Sequence, residues 1–255
     1  MKETIVINLS RITVRRGGRV VLKDLDWTTR RGEHWFIMGQ NGSGKTTLTE
    51  LLLGYLWASE GQVEVLGRQF GRASLPELRR FTGYVAPWIF RRMPPETPVE
   101  DAVASGWDAS VGRYGCISPA LRRSVTRWLN FFGCRGLKKR LFGELSSGQQ
   151  LKVVLARALV HNPALVILDE PFSLLDLGAR VRMYRYLEKL ALRKDAPQFV
   201  MVTHHREDVL PFFNQGLLLK GGKVEFAGER TAALAPARIA AVIGIDKVTA
   251  ERYFV

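Results

Sequence analysis

Residues 39–47 read Gly-Gln-Asn-Gly-Ser-Gly-Lys-Thr-Thr and match the pattern G-x-x-x-x-G-K-[ST] of a phosphate-binding loop. In this pattern the glycines allow a tight turn that points several backbone N–H groups at one anion, the lysine adds a positive charge, and the hydroxyl can ligate Mg²⁺. We therefore predict that the phosphates of a nucleotide bind here, with Thr46 as a metal ligand. The candidate phosphate-binding residues are Gly39, Gln40, Asn41, Gly42, Ser43, Gly44, Lys45, Thr46 and Thr47.

The segments on either side of this loop have the patterns of a strand and a helix. Before it, Trp35-Phe36-Ile37-Met38 is a short apolar run that suits a buried strand. After it, apolar residues recur at the spacing of one helix face, which predicts a helix that extends through Leu56. The N–H groups and the dipole at the start of such a helix favour a bound phosphate. The apolar residues of this face are Leu48, Leu51, Leu52, Tyr55 and Leu56.

The composition indicates a folded chain in a reducing compartment. Its 255 residues are 46% hydrophobic, which is enough for one large domain or two lobes. No apolar run reaches the ~18–20 residues of a transmembrane helix, and the N-terminus lacks the apolar segment of a signal peptide. The cysteines, Cys116 and Cys134, are too few for a disulfide framework and lack metal-ligand spacing. We therefore expect a cytoplasmic protein with free thiols.

The chain carries a formal net charge of +14 at pH 7. Its basic residues come in scattered pairs, such as Arg15-Arg16, Arg91-Arg92 and Arg122-Arg123. Scattered pairs are typical of a solvated surface, whereas one basic stripe would indicate nucleic-acid binding. The charge excess leaves open a contact with anionic lipid or with nucleic acid.

The order of the other segments predicts an α/β fold. Strand patterns lie before residue 75 and again from Leu165 onward, whereas the segment from about 75 to 150 is mostly helical in pattern. Prolines between Pro87 and Pro98 predict a loop rather than a helix in that part of it. We predict one nucleotide-binding domain at residues 1–230, with a helical subdomain inserted at about 75–150. The Ala-rich residues 231–255 predict a helical tail.

Three polar residues follow two apolar runs in the second half of the chain. Asp169 and Glu170 come directly after the run 165–168, and His204 comes soon after the run 199–202. The carboxyl ends of parallel strands gather ligands in α/β sheets. There Asp169 can hold Mg²⁺ through water, Glu170 can deprotonate an attacking water, and His204 can bind a γ-phosphate or that water. Each residue alone is compatible with a solvated surface, but together, after a phosphate-binding loop, they favour nucleotide hydrolysis.

A further motif makes the resemblance to a known family specific. Residues 145–149 read Leu-Ser-Ser-Gly-Gln and are similar to the LSGGQ signature of ATP-binding-cassette (ABC) ATPases. In this resemblance residues 39–46 are Walker A, residues 165–169 are Walker B, and Glu170 is the catalytic glutamate. Residues 173–176, Ser-Leu-Leu-Asp, resemble the D-loop, and His204 resembles the switch histidine. The motifs occur in family order.

The resemblance implies a fold, a reaction and a set of site residues. The fold is a P-loop NTPase core with an N-terminal antiparallel β subdomain and an inserted helical subdomain. The reaction is Mg-dependent ATP hydrolysis, in which two identical or different cassettes pair head to tail around two ATP molecules. The signature of one cassette then touches the γ-phosphate held by the other. The implied site residues are Glu170 and His204 for catalysis, Thr46 and Asp169 for the metal, Ser146, Ser147, Gly148 and Gln149 for the signature, and Asp176 for the D-loop.

Two departures from the family pattern concern the metal and the adenine. The family carries a Q-loop glutamine that ligates Mg²⁺ and couples to a membrane partner. Here the corresponding run, Gly83-Tyr84-Val85-Ala86-Pro87-Trp88, contains none, and no glutamine lies between Gln69 and Gln149. The family also carries an aromatic residue that stacks on adenine, and residues 15–18 include no aromatic residue. Arg16 can stack through its planar guanidinium or be an ordinary surface arginine.

Three functions are compatible with these motifs. The first is the ATPase subunit of a transporter, at the inner face of the membrane, with a separate permease. For this permease, residues 88–95 form either a docking loop or a loop folded onto its own lobe. The second is a soluble ABC ATPase that acts on nucleic acid or ribosomes, and the third is an ATP-binding switch that hydrolyses poorly. Residues 103–112 and 203–208 also resemble the molybdate-transport-associated ABC ATPases, including photorepair proteins.

Overall fold

A computed structural model describes residues 4–112 and 116–244 of the chain. The chain divides into two compact units, the first made of Met1–Leu78 with Gln198–Val255 and the second of Arg79–Pro197. The strands are β1 (Ile5–Arg16), β2 (Arg19–Arg30), β3 (Trp35–Gly39), β4 (Glu60–Val65), β5 (Arg68–Gln69), β6 (Thr82–Val85), β7 (Leu165–Asp169), β8 (Gln198–Val202), β9 (Gln215–Lys220) and β10 (Lys223–Glu229). The α-helices are α1 (Lys45–Leu52), α2 (Leu75–Arg79), α3 (Pro87–Arg92), α4 (Val99–Ala104), α5 (Pro119–Phe131), α6 (Ser147–Leu159), α7 (Leu177–Ala191), α8 (Arg230–Ala233) and α9 (Pro236–Ile243).

The first unit contains an antiparallel sheet in the order β2-β1-β4-β5. β1 and β2 form a hairpin through Gly17 and Gly18, whose positive φ values of 56° and 76° suit a tight turn. On the other edge of β1, Leu9 lies opposite Val63, and both side chains are buried. This sheet is the N-terminal antiparallel subdomain that the resemblance implies.

A second sheet in the first unit carries the phosphate-binding loop. β3 lies between β8 and β9 and is parallel to both, while β10 forms a hairpin with β9. All five residues of β3 are buried, as expected for a parallel strand that is covered on both faces. Because β3 and β8 run in the same direction, the residues after Gly39 and after Val202 lie at the same edge of the sheet.

The second unit is organised around α6. β6 and β7 are parallel, with Thr82 opposite Leu165 and Val85 opposite Leu168. α6 packs against β6 and against α3, α4, α5 and α7. Its buried residues are mostly aliphatic, and each fully buried Leu or Val contributes roughly 1.5–3 kcal/mol to folding. This packing fixes the start of α6, which is where the signature lies.

The first helix is shorter than its apolar pattern predicts. α1 ends before Gly54, so the prediction of a helix through Leu56 is wrong. Gly54 has a left-handed φ of 66°, and its N–H donates to the Leu51 carbonyl, while the Tyr55 N–H donates to the Glu50 carbonyl. These two hydrogen bonds form a Schellman motif, which ends a helix even where the apolar pattern continues.

A short helix occupies part of the loop predicted between the prolines. α3 begins at Pro87, so the prediction of a loop is wrong for residues 87–92. At the first helical position a backbone N–H has no partner within the helix, so a proline loses no hydrogen bond there, and its φ is already helical. The preceding Ala86 is extended, with φ −151° and ψ 155°, as the residue before a proline prefers. The proline therefore starts this helix instead of preventing it.

The predicted α/β fold class, with its antiparallel β subdomain, is confirmed by these sheets and helices. The domain limits of 1–230 and about 75–150 stay a prediction. α9 lies within the predicted helical tail, and residues 245–255 of that tail lie outside the described residues. Within the described residues, no helix has both the length and the apolar character needed to cross a membrane.

Candidate functional site

The phosphate-binding loop of the first unit depends on three glycines. A Cβ on Gly39 would lie 2.3 Å from the Leu219 carbonyl oxygen, and a Cβ on Gly44 would lie 2.5 Å from Leu22 Cδ2. Gly42 and Gly44 also have positive φ values, 80° and 99°, that strain other residues. The glycines therefore allow the loop to pack closely against β9 and β2.

Positive charge and backbone donors converge at this loop. Lys45 is only 6% exposed, and its Nζ donates to the carbonyl oxygens of Gly39 and Gln40 at 2.8 and 2.9 Å. Gly44 is the N-cap of α1, and no side chain caps that helix. The first N–H groups of α1 are thus available for an anion, and the exposed Thr46 hydroxyl follows at its second position.

The candidate switch histidine also belongs to the first unit. His204 follows β8 and is exposed, with its ring 4.0 Å from the His205 ring. The Thr203 hydroxyl donates to the buried Asp208 carboxylate at 2.9 Å and accepts from the His205 N–H at 3.0 Å. These hydrogen bonds fix the backbone on both sides of His204, at the sheet edge where β3 leads into the phosphate-binding loop.

Asp169 and Glu170 lie at the end of β7 in the second unit. Asp169 is 5% exposed, and the Tyr84 hydroxyl donates to its Oδ2 at 3.3 Å. Glu170 is half-buried and has a left-handed φ of 46°. Such a conformation costs a non-glycine residue about 1–3 kcal/mol and concentrates at functional sites. Five other non-glycine residues of the described part also have a positive φ, so the conformation agrees with a functional role for Glu170 but does not single it out.

The signature residues begin α6 as a capping box. The Ser146 Oγ accepts from the Gln149 N–H at 3.4 Å, and the Gln149 Oε1 accepts from the Ser146 N–H at 3.0 Å. Ser146 and Ser147 are exposed, and a Cβ on Gly148 would lie 3.4 Å from the Ala179 Cβ on α7. The Ser146 hydroxyl proton remains able to bind an incoming anion, because the cap uses only its oxygen as acceptor.

Asp176 of the D-loop is the N-cap of α7. Its Oδ1 accepts from the Ala179 N–H at 2.7 Å, which satisfies one of the free donors of that helix. Two apolar neighbours, Leu174 and Leu177, are 50% and 74% exposed. We take this exposed apolar area as a candidate surface for a partner.

The structure also places the two departures from the family pattern. Pro87, which occupies the position of the family glutamine in the sequence motif, is the first residue of α3. Arg16 forms an exposed ion pair with Glu50, with 3.0 Å between Nη1 and Oε2. The structure thus gives Arg16 a protein partner, and stacking of its guanidinium on adenine stays a prediction.

The chain matches the ABC transporter family model over residues 22–173. It belongs to the ABC transporter family. The ABC transporter ATP-binding protein YlmA of Bacillus subtilis is 36% identical over 225 residues, which cover 88% of this chain and 85% of YlmA. The finer resemblance to molybdate-transport-associated ATPases stays a prediction.

Solved ABC cassettes have the same fold. The structure of cbiO1 from Clostridium perfringens, part of the ABC transporter complex cbiONQ, aligns with a TM-score of 0.80 at 24% identity and covers 94% of each chain. The dimeric, post-hydrolysis structure of the cassette MJ0796 with ADP and Pi aligns with a TM-score of 0.73 at 25% identity, over 88% of this chain and 98% of that one. The ABC fold implied by the sequence is therefore confirmed.

The predicted site residues form one group in each unit. The phosphate-binding loop and His204 follow neighbouring strands of the first unit, whereas Asp169, Glu170, the signature and Asp176 belong to the second. Sequence reasoning missed Tyr84, whose hydroxyl contacts Asp169. The available signal was its position at the end of a strand in a motif that lacks the family glutamine.

Proposed function

We propose that this ABC cassette binds Mg-ATP, hydrolyses it to ADP and phosphate, and works as a head-to-tail dimer that energises a membrane transporter. The phosphate-binding loop carries the proposal. Lys45 lies buried over two loop carbonyl groups, and α1 begins without a side-chain cap. A polyphosphate can accept hydrogen bonds from both sets of donors.

The donor chemistry of Thr46 and Asp169 fits Mg²⁺. A threonine hydroxyl and a buried carboxylate are hard oxygen ligands. Within 4–112 and 116–244, no group of three or more His, Cys, Asp or Glu residues can hold a metal alone. The remaining ligands would then be phosphate and water oxygens, as is usual for Mg²⁺ at a nucleotide. When bound, Mg²⁺ would offset the negative charge of the phosphates.

Glu170 is the proposed general base. Its carboxylate takes a proton from water as the water oxygen bonds to the γ-phosphorus and the bond from that phosphorus to the β–γ bridging oxygen breaks. His204 is the proposed hydrogen-bond donor to the γ-phosphate. Lys45 and the N–H groups of α1 stabilise the charge on the phosphate oxygens.

Two surface features of the second unit support the dimer. The exposed Ser146 and Ser147 at the start of α6 can bind a phosphate from outside the chain. Leu174 and Leu177 place apolar area beside Asp176, which a second cassette would cover. The dimeric state of MJ0796 with ADP and Pi supports this arrangement by similarity.

The transport role is supported by similarity. YlmA is an ABC transporter ATP-binding protein, and cbiO1 is part of a transporter complex. We propose that a membrane permease binds this cassette at the inner face of the membrane, and that the permease contacts α3 and the residues that follow it. None of the similar proteins described above supports a nucleic-acid partner.

The test of hydrolysis compares two isosteric changes in the second unit. Glu170→Gln removes the proposed base, and Glu96→Gln removes an exposed carboxylate that has no role in the proposed hydrolysis. We expect Glu170→Gln to keep Mg-ATP binding, to lower turnover by about 10²–10⁴-fold, and to accumulate an ATP-bound dimer in analytical ultracentrifugation. Glu96→Gln should behave like the wild type. Wild-type turnover in Glu170→Gln would show that Glu170 is not the general base.

The test of transport is affinity capture from detergent-solubilised membranes of the native host. The Glu170→Gln variant with Mg-ATP is the bait, and Lys45→Ala is the control that should not form the closed dimer. Recovery of one multi-spanning protein with both baits supports the transporter role, since docking and dimer closure are separate contacts. Stimulation of turnover by nucleic acid, with no membrane protein recovered, would support the soluble alternative instead.

A further inference from the structure

We propose that Tyr84 positions Asp169 for the metal in this chain, whose Q-loop run lacks the family glutamine. The inference rests on the proposed Mg-ATP hydrolysis. Its subject is a hydrogen bond inside the second unit, from the Tyr84 hydroxyl to the Asp169 carboxylate. Tyr84 is a positioning residue, because it acts through Asp169.

The hydrogen bond follows from the pairing of two strands. β6 and β7 are parallel neighbours, and Tyr84 lies opposite Ile167, two positions before Asp169. Both side chains therefore lie near the carboxyl ends of their strands, and the Tyr84 hydroxyl reaches Asp169 Oδ2 at 3.3 Å. Tyr84 is 7% exposed and Asp169 is 5% exposed. Little water is available to replace this donor, so its loss would leave the carboxylate freer to rotate.

The orientation of a metal-binding carboxylate is set by its other hydrogen bonds. A donor that binds one carboxylate oxygen restricts rotation of the group and directs the second oxygen. Here the phenol donates to Oδ2 and so restrains the rotation of the Asp169 carboxylate. A donor of this kind typically contributes about 10–100-fold to metal affinity or activity.

The residues that replace the Q-loop support the Tyr84 ring. Pro87 starts α3, and Trp88 on that helix packs against Tyr84, with 6.0 Å between ring centroids and 50° between ring planes. The Arg92 guanidinium lies 5.4 Å from the centroid of Trp88. α3, which supplies no glutamine oxygen, thus holds the tyrosine in place through Trp88. Without that oxygen, Asp169 supplies a larger share of the protein ligands to the metal.

The experiment removes one oxygen atom from each of two tyrosines in the same unit. Tyr84→Phe deletes the donor to Asp169 and keeps the ring that packs on Trp88. Tyr186→Phe is the matched control, because that tyrosine on α7 packs on Phe132 at 5.5 Å between centroids. A fluorescent ATP analogue is titrated into each protein in EDTA, and then Mg²⁺ is titrated at a fixed analogue concentration. Thermal melting shows whether the variants are folded.

We expect Tyr84→Phe to raise the Mg²⁺ concentration for half-maximal response about tenfold, with no change in analogue affinity in EDTA. Tyr186→Phe should match the wild type in both titrations. An unchanged Mg²⁺ response in Tyr84→Phe overturns the proposal, and so does an equal loss of affinity with and without metal, which would indicate general loosening of the fold.

The two proposals can fail separately. A wild type that binds the analogue with no Mg²⁺ response would overturn both the proposed function and the role of Tyr84. A wild type with a clear Mg²⁺ response that Tyr84→Phe shares would leave the proposed function intact and overturn only the positioning role. If Tyr84→Phe melts much earlier than the wild type, Trp88→Phe replaces it. This change weakens the packing on Tyr84 and should shift the Mg²⁺ response in the same direction by a smaller factor.

Discussion

Acidification should destabilise the second unit through His161. This residue lies between α6 and β7, where burial lowers the pKa of its imidazole to about 4, and the nearby Arg157 cation acts in the same direction. The ordinary value is 6.5, so between pH 6.5 and 4 the unfolded chain binds a proton that the folded chain excludes. The neutral histidine therefore contributes its full stability above pH 6.5 and loses it as the pH falls.

The expected magnitude follows from the two pKa values. A shift of this size corresponds to a loss of about 2 kcal/mol in the free energy of unfolding between pH 7.5 and 5, and to about 3 kcal/mol below pH 4. His34 gives the first unit a pH dependence of the same sign, because burial also lowers the pKa of its imidazole. Its Nδ1 accepts from the Phe199 N–H at 3.1 Å, a hydrogen bond that requires an unprotonated nitrogen.

The assay is urea unfolding at several pH values between 5 and 7.5, for the wild type and for His161→Gln. Glutamine cannot take up the proton, so the two curves of unfolding free energy against pH should approach each other by about 2 kcal/mol on going from pH 7.5 to 5. The part of the difference in unfolding free energy that does not change with pH reflects the packing lost in the variant and is separate from the titration. Parallel curves for His161→Gln would refute the reasoning.

Four further changes test the site. Lys45→Ala should weaken Mg-ATP binding itself in equilibrium dialysis, since its ammonium group lies over the phosphate-binding loop, and unchanged affinity would contradict that assignment. Gly39→Ala should destabilise the fold by about 1–3 kcal/mol in urea, because its Cβ would overlap the Leu219 carbonyl. Ser146→Asp should keep the cap and the melting temperature yet abolish the ATP-bound dimer, since a carboxylate repels phosphate; an intact dimer would contradict the contact. Leu177→Asp should weaken the ATP-bound dimer at least tenfold in ultracentrifugation without changing the ATP affinity of the monomer, and equal dimer affinity would exclude this surface.

The motifs were predictable from sequence because each forms through interactions among residues that are close together in the chain. Residues 39–47 form a tight loop, and Ser146 and Gln149 form a capping box, from chemistry contained within a few positions. The apolar runs before the loop and before Asp169 are strands, as their patterns predict. In these places neighbouring residues alone determine the structure.

The errors arose where a single residue changes the meaning of a pattern. An apolar repeat through Leu56 cannot show that Gly54 will take a left-handed conformation and end α1. Pro87 can exclude a helix or start one, depending on whether it falls inside or at the first position. The contact from Tyr84 to Asp169 joins residues 85 positions apart and depends on strand pairing that no local pattern reveals.

Three helix N-termini carry motifs in this chain, and their caps differ in a way that bears on the order of events. α6 and α7 already use a side chain to satisfy one of their first N–H groups, Ser146 in one case and Asp176 in the other. α1 has only Gly44 at its N-cap, with no side-chain acceptor. An anion that binds at α1 therefore competes with no side-chain cap. At α6, Ser146 already satisfies one of the first N–H groups, so an anion there gains hydrogen bonds chiefly from the Ser146 hydroxyl and the remaining N–H groups. The phosphate-binding loop should thus bind ATP first and tightly, and the signature should bind the same γ-phosphate second and weakly. A contact of that strength suits the proposed dimer, which would open again once hydrolysis had removed the shared phosphate.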